Sequence, residues 1–232
     1  EYFKAIDNPN FTPVILKKNM GSSIGRNLGL MGTTDPEYIF LIDGDILYVA
    51  GTIYEYKKIL EANPDAACVG QNSWEMVQRL GHNGAANPID ADIRMGTDYE
   101  VSDWFPMAWT QYGLFKADFL KEHPFVTEPP FNQPGHGFED DWLYHEMKEA
   151  GLSSLAVNKP IYYHAAHSGL LELQKAGLSS MTEERRKGFE KKWGKNSGWM
   201  YMLSNGTPTK TTRPNPNRTN SAPSGATPTG TL

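Results

Sequence analysis

The sequence predicts an α/β domain over residues 1–203, with a sheet flanked by helices, and three observations predict it. Short β-prone apolar runs alternate along the chain with stretches of helical spacing, an order that fits an α/β sandwich better than an all-α or all-β fold. One run, Tyr38-Ile39-Phe40-Leu41-Ile42, is apolar at every position, as a strand covered on both faces must be. With 39% hydrophobic residues over 232 positions, the chain has the material for one sizeable core.

The elements follow in order. Val14-Ile15-Leu16 is a short β-rich run that stops at Lys17-Lys18-Asn19. Residues 21–30 then read as a helix in which Gly21, Gly25 and Gly29 recur every four positions, so that they share a face suited to close packing on a sheet. The strand at residues 38–42 ends abruptly in Asp43-Gly44-Asp45. Residues 52–62 read as a helix, ended by Asn63-Pro64-Asp65 ahead of a strand at residues 66–69. Residues 71–103, rich in Gly, Asn and Asp, form a loop-rich excursion. A strand is expected at residues 110–115 and a short helix at 116–121, followed by a proline-rich loop over 124–137. Residues 139–150 are helical and close at Gly151 in the C′ position. A strand at residues 161–163 leads to His164, and the last helix starts at Ser180 with the capping-box spacing to Glu183. Phe189 and Trp193 lie four apart on that helix, as its core face. From Ser204 on, Thr, Pro, Asn, Ser and Gly dominate with almost nothing large and apolar, so residues 204–232 read as a disordered tail.

Composition narrows the function classes. A net charge of −5 gives no general reason to expect nucleic acid as partner. No apolar run approaches the roughly 20 residues that a membrane-spanning helix requires, so the expectation is a soluble protein, placed in the cytoplasm. The single cysteine, Cys68, has no partner for an internal disulfide and lies in the apolar run Ala66-Ala67-Cys68-Val69, where a buried inert thiol is the ordinary state.

Three constellations carry chemistry. Asp43 and Asp45, two apart at the exit of a buried strand, are placed to converge on one hard cation, and ligands of open α/β sheets bind at such strand ends. The plain alternative for an Asp-x-Asp is a solvated turn. Glu139-Asp140-Asp141, behind Gly137-Phe138, suits a helix start by capping and dipole, and also offers a general base among carboxylates that push one another's pKa values apart. His164 and His167, three apart beyond a strand end, are candidate further ligands for a cation, and imidazole beside carboxylates favours manganese over magnesium.

The order of these motifs resembles the GT-A glycosyltransferases, in particular family 2, with a galactosyltransferase-like acidic segment. Asn19-Met20-Gly21 and Gly25-Arg26-Asn27-Leu28-Gly29 look like the family's Asn-x-Gly and Arg-Asn-x-Gly helix, and Asp43-Gly44-Asp45 like its DxD. Glu139-Asp140 is similar to its Glu-Asp motif, Tyr163-His164 to its later metal histidine and Lys192-Trp193-Gly194 to a Lys-Trp-Gly element near its end.

The resemblance implies a GT-A mixed central sheet and an inverting hexosyltransferase that moves a sugar from a nucleotide-sugar donor to a hydroxyl of a glycan, protein or lipid-linked acceptor. It implies that Asp45, with Asp43, holds the divalent cation at the donor diphosphate, that His164 or His167 completes the metal shell, and that Arg26 lies near the nucleotide. Asp140 is then the base and Glu139 an acceptor contact; Trp104 and Trp109 are candidates for stacking on an acceptor sugar ring. Family members place a base-recognising strand well upstream of the Asn-x-Gly helix, whereas 18 residues precede Asn19, so the implied domain lacks its amino-terminal strands. Two other readings compete. One is an inactive remnant that binds a glycan or acts as a scaffold. The other is an aspartate-nucleophile phosphatase, which also sets Asp-x-Asp after an apolar strand but leaves the Arg-Asn-x-Gly helix and the two histidines unexplained.

Overall fold

The computed structural model describes residues 6–44, 46–48, 51–71, 101–103, 112–133, 137–157, 162–164, 180–195, 212–213 and 216. They form a mixed α/β structure. Six strands, β1 (Tyr38–Ile42), β3 (Ala66–Gln71), β4 (Val101–Asp103), β5 (Tyr112–Lys116), β6 (Ser153–Val157) and β8 (Thr212–Arg213), make one sheet in the order β1-β5-β3-β6-β4-β8. Only β3 and β6 run parallel; the other pairs are antiparallel. A second, two-stranded sheet pairs β2 (Ile46–Tyr48) with β7 (Tyr162–His164).

Period-two alternation, broken in β3 by an irregularity between Ala66 and Cys68, sorts the strand side chains into two cores. Ala66, Val69, Tyr112, Leu114, Leu155 and Val157 face one layer, closed by Tyr56, Ile59 and Leu60 of helix α2 (Thr52–Ala62). Ala67, Cys68, Phe115 and Ala156 face the other, closed by Phe119 and Leu120 of α3 (Ala117–Glu122) and Leu143 and Met147 of α4 (Glu139–Glu149). Strand β1, at the edge of the sheet, is covered only in part: Tyr38 and Phe40 pack on the first layer and Ile39 and Leu41 on the second, while Ile42 is 44% exposed. A third cluster joins Trp142 of α4 to Phe189 of α5 (Ser180–Trp193), with Phe131 and Val126 from the loop between α3 and α4 and Trp193 packed against it. Helix α4 ends in a Schellman motif: Gly151 takes φ +70°, its N–H reaches the Lys148 carbonyl, and the Leu152 N–H reaches that of Met147.

Several expectations change. Val14, Ile15 and Leu16 form no strand and are 56%, 59% and 40% exposed; among the described residues no ladder partner takes them up, and β propensity without a partner makes no strand. Helix α1 (Ser22–Met31) forms, but no described atom lies within 4 Å of where a Cβ would stand on Gly25 or Gly29, so these two do not provide the close packing expected of them. Gly21 does. A Cβ there would lie 2.4 Å from the Gln133 carbonyl oxygen, and its φ of +86° also favours glycine. Strands β2, β4 and β6 are additions to the elements the sequence predicts, β4 lying at the end of the stretch expected to be a loop-rich excursion. Within residues 204–232, Thr212–Arg213 pair with β4, and Arg213 binds Asp103 at 2.6 Å and Asp65 at 2.8 Å. That docking uses backbone pairing and charge, which a reading based on apolar content overlooks.

Candidate active site

The carboxyl end of β1, the amino end of α1 and the first turn of α4 meet, and charged side chains fill the junction. Asp43 leaves β1 into a turn closed by the Ile46 N–H on the Asp43 carbonyl at 3.3 Å, after which β2 begins. Register pairs Ile46 with His164 across the β2–β7 ladder, so the backbone of His164 stands opposite the position next to Asp45. Asp45 itself lies outside the described residues, as do His167, Trp104 and Trp109. Among the described residues no three His, Cys, Asp or Glu side chains gather in a cation-holding group.

Arg26, one turn into α1, links two acidic motifs that are far apart in the chain. Its guanidinium lies 3.4 Å from Asp43 Oδ1 and 3.6 Å from Glu139 Oε1, above the Phe125 ring at 5.4 Å. The next residue, Asn27, is an anchor. Its amide donates to the Phe125 carbonyl at 2.8 Å and accepts from the Phe125 N–H at 2.9 Å, which pins the loop carrying that ring.

Glu139 is 5% exposed, and both of its oxygens are engaged: Oε1 accepts from Ser22 Oγ at 2.7 Å and Oε2 from Arg185 Nη1 at 3.1 Å. Ionised, it also sits at the amino end of α1, where the helix dipole favours an anion. At that degree of burial, little of the carboxylate is left for a ligand to reach. Asp140, the next residue of α4, is partly exposed, whereas Asp141 is 4% exposed. Entry to α4 is unusual, since Gly137 and Phe138 take φ of +96° and +65° in succession.

No family model and no curated protein matches this chain. Three of the residues singled out in the sequence, Arg26, Asp43 and Glu139, are brought into one junction, with Asp140 beside it. Arg185 is a site residue that the sequence reading misses. Its signal is legible, because residues 185, 189 and 193 share a helix face and a charged residue in line with Phe189 and Trp193 points into a core. Burial holds its guanidinium below the ordinary arginine value, opposed by the neighbouring Glu139 carboxylate. Trp142, by contrast, is a core residue, 8% exposed, that donates its indole N–H to Glu146.

Proposed function

We propose that the chain is the core of a metal-dependent, inverting glycosyltransferase of GT-A type that moves a hexose from a nucleotide-sugar to an acceptor hydroxyl. The observation that carries the reading is the double contact of Arg26, which joins the strand-end Asp43 to the acidic start of α4. A solvated turn and a merely well-capped helix have no reason to meet across a largely buried guanidinium.

In this reading Asp43 and Asp45, with His164 or His167, hold a divalent cation, manganese in preference to magnesium. Bound there, it would offset the negative charge of the departing diphosphate. Arg26 supplies a fixed positive charge on the donor side. Asp140, the acid of the triplet that keeps partial exposure, takes the proton from the acceptor hydroxyl, and attack from the face opposite the leaving group inverts the anomeric centre. Glu139 lies on the acceptor side of Arg26, while Trp104 and Trp109 are the candidates for stacking on the acceptor ring.

A thermal-shift matrix of divalent metals against nucleoside diphosphates tests the reading. Manganese and the matching diphosphate together should raise Tm by more than the sum of their separate effects, because each completes the other's site. Additive or absent shifts across all nucleotides would remove the metal-bridged donor.

A further inference from the structure

We propose that Arg185 is a positioning residue: from α5 it clamps the first turn of α4 and so sets where Asp140 stands relative to Asp43. The proposal rests on the glycosyl-transfer reading and adds to it a residue from outside the acidic and histidine motifs.

Arg185 is fully buried. It donates from Nη1 to Glu139 at 3.1 Å and from Nη2 to the carbonyls of Gln133 at 2.9 Å and Phe131 at 3.4 Å, and its guanidinium lies over the Phe131 ring at 5.3 Å. Its Nε, also buried, makes no hydrogen bond among the described residues. A buried ion pair is a poor stabilising device, since apolar replacements of similar volume are often equally stable, and its better-supported use is to specify one arrangement. Here the arrangement is a three-way meeting. The loop at residues 131–133 is held by Arg185, the start of α4 is held through Glu139, and the start of α1 is held through the Ser22 hydroxyl on the same carboxylate. Gly21 presses against the Gln133 carbonyl, and a side chain there would also meet Arg185 Nη2 at 3.0 Å.

The clamp acts where the backbone most needs holding. Phe138 occupies the left-handed region, costly for a residue with a side chain, immediately before Glu139. Its ring lies 5.5 Å from that of Phe189, one turn along α5 from Arg185. Helix α5 thus fixes both the entry to α4, through Phe189, and its first residue, through Arg185. Asp140 follows Glu139 in the same turn, so any displacement of one carries the other. A misplacement of about 1 Å in a reacting group can cost on the order of 100-fold in rate.

The test uses the full chain with Arg185→Met, Arg185→Lys and Arg185→Ala. Four quantities are measured: thermal stability, manganese-dependent affinity for a series of nucleoside diphosphates, steady-state release of the matching diphosphate from its nucleotide-sugar, and amide exchange. Arg185→Met should keep diphosphate affinity within about twofold and lower kcat by roughly 10–100-fold at little changed donor KM. Amide exchange should quicken across residues 131–141 but not in β3 or β6. Arg185→Lys, with one compact charge in place of a fork, should not restore kcat, whereas low-millimolar guanidinium added to Arg185→Ala should restore part of it. An active parent with Arg185→Met at the parental kcat overturns the positioning role. So does a loss of affinity and turnover in parallel with exchange across the whole sheet, which marks a purely structural residue. A parent that neither binds a diphosphate with manganese nor turns over any donor defeats the glycosyl-transfer reading, and the catalytic consequence of the clamp with it.

Discussion

Replacing Asn27 by Ala should destabilise the protein by about 2–3 kcal/mol, although the residue belongs to the same Arg-Asn pair that reaches the candidate site. The magnitude follows from its two hydrogen bonds, 2.8 and 2.9 Å, to the carbonyl and N–H of one residue, Phe125, which is itself 2% exposed. Each bond is worth about 1 kcal/mol net, and truncation also leaves one backbone donor and one acceptor unpaired in a place water reaches only in part. At roughly 2–4 °C per kcal/mol for a domain of this size, Tm should fall by about 5–10 °C. Urea unfolding is the assay, with a lower midpoint at unchanged m-value. Asn27→Asp separates this account from a simple loss of packing. The carboxylate can still accept from the Phe125 N–H but faces the Phe125 carbonyl without a proton to donate, so near neutral pH it should be at least as damaging as Ala. Below about pH 4, where the acid is protonated and can donate, it should recover relative to Ala. A change under about 0.5 kcal/mol for Asn27→Ala, the size of an ordinary surface substitution, would refute the two-bond clamp.

Other outcomes are expected. Truncation after Leu203 removes β8 and the Arg213 contacts with Asp65 and Asp103, and differential scanning calorimetry should register a loss of about 1–2 kcal/mol after allowing for solvent screening of these partly exposed charges. The hydrogen bond from Arg213 holds the Asp65 carboxyl below its usual range, with Ser153 assisting and burial opposing. A depressed carboxylate contributes stability above its unfolded value near pH 4 and loses it as pH falls through the folded value, so the penalty for truncation should shrink at about pH 3 and below. Burial pushes the Cys68 thiol up to about 12, so a thiol reagent at about pH 8 should leave the native protein unlabelled and titrate one thiol after denaturation. Asp45→Ala should weaken manganese and diphosphate binding together, whereas Asp140→Asn should leave both intact and lower transfer by about 10²–10⁴-fold; calorimetric binding beside a transfer assay separates them, and equal loss of binding in both variants would count against Asp140 as the base.

The elements legible in the sequence are those whose own residues decide them. Residues 52–62 carry helical spacing and a stop at Asn63-Pro64, and α2 spans that range; residues 38–42 are apolar throughout, and β1 is that strand. Where a neighbour decides, the sequence alone misleads. Val14-Ile15-Leu16 has the propensity of a strand without a partner, while Ile46–Tyr48, only three residues long, becomes a strand because Tyr162–His164 lies alongside it. Strand β6 is hidden by its position directly behind the Gly151 cap, with its parallel partner β3 on the far side of a long excursion. At the site, residue type marks Arg26, Asp43 and Glu139 as candidates, but their mutual contacts depend on a fold that joins positions far apart in the chain. That Glu139 is buried is not legible from its acidic neighbours, because the residue that neutralises it lies on another helix.

The triplet Glu139-Asp140-Asp141 shows how geometry separates three residues of one chemistry. Consecutive residues on a helix point about 100° apart, so three acids in its first turn cannot share one environment. The helix dipole favours all three equally and therefore distinguishes none. Burial does distinguish them. Glu139 turns toward α1 and α5, where Ser22 and Arg185 take its oxygens, and Asp141 turns inward to 4% exposure. Asp140 lies between them and stays open to solvent in part. A general base must be reachable by the group it deprotonates. Of the three acids, Asp140 alone keeps partial exposure, and on that ground it is the base in the proposed reading, with Glu139 as its buried neighbour.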